Sequence, residues 1–214
     1  MELFSLLSSL PYLKLYEKPV ISFEKFLEYC ANNIRGEHLI LLEELSVLPG
    51  RGTKAAVPSG NDYDALYAAF EKRIRKILPA KALICQYAKW EIALRNSIAA
   101  IRASKWRNGE MGANVRPDAV YESETDNIAK AAYSASNPLE RERILDEARW
   151  NKLDDLARLN HFHGFTYDAV CAYGLKLQIA EKWVSRTNDA AISNLDKAVT
   201  SVQTPAGQES NQNK

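Results

Sequence analysis

Residues 137–186 hold start and stop signals for two helices around one glycine, which restricts this stretch to an antiparallel helical hairpin. Asn137-Pro138-Leu139-Glu140 combines an N-cap residue, a proline at the first helical position and an acid in the first turn. The helix it opens is predicted to run to about Phe162. Its polar residues Glu140, Arg143, Glu147, Asn151, Asp154 and Arg158 fall on one narrow stripe. Ile144, Leu145, Ala148, Trp150, Leu153, Leu156 and Leu159 cover much of the rest, so more than one side is packed. Gly164 supplies the left-handed residue that ends the helix. Thr166 caps the next one, with Phe165 and Val170 at the spacing of a hydrophobic staple.

The second helix has two apolar faces. One is Val170, Tyr173, Leu177, Ala180 and Val184, and the other is Ala172, Leu175, Ile179 and Trp183. Two faces need two sets of neighbours, which places this helix at the centre of a bundle. Upstream, Ser22 and Glu24 open a helix that stops near Gly36, and a second runs from Glu37 to Leu48. The pattern from Asp62 to Trp106 is helical with a break at Leu78-Pro79. In its second half Leu83, Tyr87, Trp90, Leu94, Ile98 and Ile101 mark one apolar face. Pro117 opens a short helix to about Tyr133, and residues 1–21 read as a short strand or helical turn followed by extended chain. The expectation is an all-α bundle of about six to seven helices with a central C-terminal hairpin. It forms one domain over 1–202, divisible near the loop at 49–61, and 203–214 is a disordered polar tail.

Composition narrows the function classes. The 214 residues are 46% hydrophobic with a net charge of +1, so no global field favours nucleic acid or a membrane. Three scattered cysteines, Cys30, Cys85 and Cys171, argue against a disulfide framework or a structural zinc site. The apolar start lacks a basic leader, and no stretch approaches the ~20 apolar residues that span a bilayer. The expected protein is soluble and cytoplasmic.

Each candidate for chemistry has a plainer explanation. Gly50-Arg51-Gly52-Thr53-Lys54 lacks the spacing and the preceding strand of a phosphate loop, which leaves Arg51 and Lys54 on a basic contact loop. His161 and His163 have no third ligand nearby and suit a helix C-terminus, so no metal and no cofactor are expected. No nucleophile, base and acid can be assembled, and the protein is not expected to be an enzyme. Charge distribution says more. Residues 71–107 hold ten Lys/Arg, Arg73 among them, against Glu71 and Glu91, and residues 110–155 hold eleven Asp/Glu against six Lys/Arg. Either the two segments pair, or one of them docks a partner of opposite charge.

Three stretches in order resemble a known family: SSLPYLKLYEKPVISFEKFLEYC near the start, WEIALRNSIAAIRASK over 90–105, and the hairpin from NPLERERIL to QIAEKW. The family is bacterial, of unknown function, with genes among those of V-type ATPases. It resembles a counterpart of the C-type stalk component of those machines (the d-type component in eukaryotic enzymes). The likeness covers about residues 5–186 and departs at Trp106-Arg107 and in the loop at 108–116. It implies a non-catalytic central-stalk subunit that links the rotor shaft to the membrane proteolipid ring and transmits torque for ion transport. The implied partners are those V-type ATPase subunits, with no nucleic acid and with the inner membrane reached only through the complex. Arg95, Asn96 and Arg102 are polar members of the signature helix, for which bonds to a neighbouring helix are the favoured role. The alternative function is a helical nucleic-acid-binding module using 71–107.

Overall fold

Helix signals in this chain are local and strong, and the computed structural model, which describes residues 3–48, 60–106, 123–159 and 165–187, follows them closely. The described residues form eight α-helices: α1 Leu3–Ser9, α2 Phe23–Asn33, α3 Glu37–Glu43, α4 Gly60–Ile77, α5 Leu83–Trp106, α6 Ser123–Ser134, α7 Pro138–Leu159 and α8 Tyr167–Thr187. A turn of 3-10 helix, Glu44–Val47, prolongs α3. No strand occurs among the described residues, so the all-α class holds. The count exceeds six to seven because the start of the chain, read as a short strand or helical turn, forms the two-turn helix α1.

The caps act as their residue types predict. Ser22 Oγ accepts from the Lys25 amide at 3.1 Å, Asn137 Oδ1 from Glu140 at 2.8 Å, and Thr166 Oγ1 from Ala169 at 3.3 Å. Each satisfies a first-turn N–H that has no intrahelical acceptor. Helix α4 ends just before Leu78-Pro79. The start of α5 is capped from a distance, because the Leu83 amide donates to Asp168 Oδ1 of α8 at 3.1 Å. Gly164, the loop residues 49–59, the loop at 108–116 and the tail at 203–214 lie outside the described residues.

Helices α7 and α8 are antiparallel neighbours. Glu142 meets Lys182 and Asp154 meets Lys176, so one number rises as the other falls. Helix α8 touches α1, α2, α5, α7 and the 3-10 turn, which is the central position its two apolar faces require. On one side Gly174 lets Phe26 of α2 come close: a Cβ there would lie 2.9 Å from the Phe26 ring. The chain between α1 and α2 and the first residue of α2 both bond to the hairpin. Tyr173 donates to the Pro11 carbonyl at 2.9 Å, and the Phe23 amide donates to Glu181 Oε1 at 2.9 Å. Tyr16, with φ of +70°, places its ring edge-on to Trp183 and its hydroxyl 2.8 Å from Glu147 Oε1. Left-handed backbone is unfavourable for a residue with a Cβ, and these contacts hold it there.

Helix α5 corrects the one-face reading. Leu83, Tyr87, Trp90, Leu94 and Ile98 are buried as expected, but so are Ile84, Cys85, Ala88, Glu91, Ile92, Ala93, Asn96 and Ser97. It packs against α4, α6, α7 and α8, and is therefore a second central helix. Many of the extra buried positions hold small or polar residues, which leave no mark on hydrophobic periodicity.

Candidate functional site

Among the described residues, the densest chemistry is a set of charges where α5, α7 and α8 meet. Glu91 of α5 is 0% exposed. Arg149 of α7 reaches across and donates through Nε to Glu91 Oε2 and through a terminal nitrogen to Glu91 Oε1, both at 3.0 Å. The planar fork of a guanidinium fits a carboxylate in this two-bonded way. Arg95, one turn along α5, adds a third bond at 2.9 Å to Glu91 Oε1. Arg149 uses its remaining terminal nitrogen on Asp146 Oδ1, also at 2.9 Å. Asp146 then receives the Trp183 indole N–H at 3.0 Å and the Lys182 ammonium at 2.7 Å. Lys182 closes the chain on Glu142 at 2.8 Å.

Three carboxylates, Glu91, Asp146 and Glu142, thus meet three cations, Arg95, Arg149 and Lys182. The four buried members, Glu91, Asp146, Arg149 and Lys182, sum to neutral, which is what a dry interior demands of charges it encloses, while Arg95 and Glu142 sit partly exposed at the two ends. Burial pushes the Glu91 carboxyl up, but the charges of Arg149 and then Arg95 outweigh it and hold the group below its ordinary value. Burial likewise pulls the Arg149 guanidinium down, and the Glu91 charge more than reverses that. The neighbouring Tyr87 phenol is raised by burial and by the Glu91 charge, so it stays a neutral hydroxyl. The arrangement fixes the relative register of three long helices. Every charge in it already faces an opposite charge.

The network has a sequence signal. Glu142, Asp146 and Arg149 follow the i, i+4, i+7 spacing of one helix face, opposite the wet stripe of α7. That stripe is as expected: Arg143, Asn151 and Arg158 are exposed, and Glu147 and Asp154 are half-buried. The second charged line is hard to see in the sequence because apolar residues dominate its flanks. Glu91, read in the sequence, is only an offset to the basic segment.

The candidate contact residues do not form one patch. Arg51 and Lys54 lie outside the described residues. Arg73 of α4 turns toward α3, with a terminal nitrogen 3.3 Å from Glu37 Oε2. Its Nε lies 3.1 Å from Glu44 Oε2, near enough for an ion pair but off the direction of a hydrogen bond. Arg95, besides its bond to Glu91, donates to the Leu48 carbonyl and lies over the Tyr67 ring. Asn96 is buried at 3% exposure. Arg102 donates to the Tyr133 hydroxyl of α6. Arg73, Arg95 and Arg102 therefore serve internal joints. An ion pair between the basic segment and the acidic one is Glu91 with Arg149, opposite in sense to the expected pairing.

Among the described residues, no three of His, Cys, Asp and Glu are placed to hold a metal ion. His161 and His163 lie outside those residues. The third histidine, His38, offers its carbonyl to Tyr167 at 2.7 Å. Cys30, Cys85 and Cys171 are buried free thiols, and burial pushes the Cys30 thiol up to about 12. No described helix is long and apolar enough to cross a membrane.

A different feature is open to solvent. A groove of about 220 Å³ runs between α4 and α5, with Ile74, Leu78, Cys85 and Ala88 on its floor. Small-molecule sites occupy roughly 300–1,000 Å³, so this groove is small for a cofactor.

No curated protein and no solved structure matches the chain. One family model, described as a protein of unknown function (DUF2764), matches residues 23–191. That match takes in α2 through α8, and with them every residue of the buried network. The chain belongs to the DUF2764 family.

Proposed function

We propose that this protein is a non-catalytic central-stalk subunit of a bacterial V-type ATPase or ATP synthase. In this role it links the soluble rotor shaft to the membrane proteolipid ring, as the C-type stalk component it resembles would. The observation that carries the reading is the neutral network joining Glu91, Arg149, Asp146 and Lys182 across α5, α7 and α8. A torque-bearing part must resist sliding of its helices. Charge pairs in a dry interior oppose sliding, because any slip leaves an unpaired buried charge. The ordered likeness of the three stretches supplies the choice of machine. The chain would then sit in the cytoplasm, held at the inner membrane only by its partner subunits, and would need no cofactor.

The test is affinity purification of the tagged chain from its own host. V-type ATPase shaft and ring subunits should co-purify in stoichiometric amounts. Recovery of a fully assembled, coupled ATPase from cells lacking the gene would overturn the reading.

The nucleic-acid alternative draws on the exposed Lys72, Lys76, Lys81 and Lys89. It loses support from Arg73, Arg95 and Arg102, which bond to other residues of this chain. It predicts duplex binding that weakens steeply with salt, read by mobility shift.

A further inference from the structure

At one end of the bundle, the last turns of α5 and α6 meet the first turn of α7 around one aromatic ring. Arg102 of α5 donates through Nε to the Tyr133 hydroxyl, and its guanidinium carbon lies 5.9 Å from the ring centroid. Arg141 of α7 lies over the same ring at 4.3 Å. An aromatic ring attracts a cation, but one neutral ring does not cancel two whole charges. Arg73, Arg75, Arg95, Arg143 and Arg149 are each paired with an acid. Arg102 is exposed and has no carboxylate partner among the described residues. The Arg141 side chain makes no hydrogen bond or ion pair among them, and its Nε is buried without an acceptor. No acid occurs in α5 after Glu91 or in α6 after Asp126. In the first turns of α7, Glu142 is paired with Lys182, which leaves Glu140, about 100° round the helix from Arg141. Arg141 also closes the first turn of α7, where the backbone dipole disfavours a cation and favours an anion.

We infer that Arg102 and Arg141 bind the dianionic phosphate group of a phosphate monoester. Its oxygens would accept from the terminal nitrogens of both guanidiniums, whose planar forks suit phosphate, while Tyr133 holds the forks in place. Two cations match the nearly two charges that a monoester carries near neutral pH, whereas a carboxylate would leave one cation unanswered. The monoester can belong to a soluble compound or to a lipid headgroup, and the same two forks would grip either. The site stands apart from the stalk reading, because neither arginine belongs to the buried network that carries it.

The probe is glycerol 3-phosphate, titrated calorimetrically into the full-length chain near neutral pH at fixed ionic strength. One saturable site is expected. R102Q/R141Q should weaken it by about tenfold or more, and R102K/R141K, which keeps both charges and loses the forks, by several-fold. Y133F keeps the ring, removes the hydroxyl that positions Arg102 and should weaken binding by a smaller factor. The Tm of each variant is its folding control. Lowering the pH through about 6 converts the ester to its monoanion and should loosen binding in step. The inference is overturned by the absence of a saturable site in the wild type, by undiminished affinity in folded R102Q/R141Q, or by acetate binding as tightly as the ester. If R102Q/R141Q does not fold, R102K/R141K decides, and undiminished affinity there overturns it too. Flotation with phosphatidylcholine vesicles, with and without phosphatidic acid, separates the two sources. Capture that needs phosphatidic acid and is competed by glycerol 3-phosphate assigns the site to a headgroup, and ester binding without capture assigns it to a soluble compound. A short DNA duplex that binds the wild type and not R102Q/R141Q, when the ester binds neither, overturns the inference in favour of nucleic acid.

Discussion

Glu91 and Lys89 are two residues apart on the same helix and end in opposite surroundings. Glu91 is wholly buried against Arg149 and Arg95, whereas Lys89 stands in solvent on the rim of the α4–α5 groove. On a helix, neighbours two apart face nearly opposite sides. Their energetics diverge accordingly. A buried charge is stable only while its partner remains, so the network defines the arrangement of the helices. An exposed charge contributes little to stability and is free to attract a partner. The same residue types thus hold the fold together on one side of α5 and leave a surface available on the other.

This comparison breaks most sharply at Arg149. Arg149→Met removes the shared cation of Glu91 and Asp146 and should destabilise the protein by about 3–5 kcal/mol, lowering Tm by on the order of 10 °C in a calorimetric scan. Pairing it with Glu91→Met should recover part of the loss, because Arg95 keeps the Leu48 carbonyl and Asp146 keeps Lys182 and Trp183. A double variant less stable than the single one would contradict this coupling.

The network also sets a pH response. Glu91 has a lower pKa folded than unfolded, so in acid the folded state takes up its proton less readily than the unfolded chain. Its contribution is complete above the unfolded carboxylate value of about 4.3 and is lost as pH falls from there through the folded value. Denaturant unfolding between neutral and strongly acidic pH should show a stability decline in that window that Glu91→Gln flattens. Lys89→Ala should leave the decline unchanged.

A smaller effect is expected at Gly174. Gly174→Ala places a methyl 2.9 Å from the Phe26 ring and 3.2 Å from a Leu45 methyl. Phe26 is fully buried and cannot swing away, so the cost should be about 1–3 kcal/mol by urea titration. Below that comes Asn137→Ala, which removes the α7 cap and should cost about 1 kcal/mol. Smallest of all is the stability change of K72E/K76E/K89E, expected within about 0.5 kcal/mol because those side chains are in water. A large loss in that variant would place the lysines on the structural side of the comparison.

Helix boundaries are the most legible part of this chain. Ser22, Asn137 and Thr166 each cap the helix that their neighbours imply, and Leu78-Pro79 separates α4 from α5. These signals involve residues within one turn of each other, so the chain itself states them. The centrality of α8 is also readable, since two apolar faces require two sets of neighbours. The fate of each charge is settled only when the helices pack. Asp146 and Glu147 are adjacent acids in one helix, yet one is sealed against Arg149, Lys182 and Trp183 and the other meets Tyr16 at the surface. Glu91 finds Arg149 58 positions away. Which charge is enclosed and which is left for a partner depends on where distant helices cross. No local pattern contains that information, because the free energy of a charge is set by what surrounds it in space.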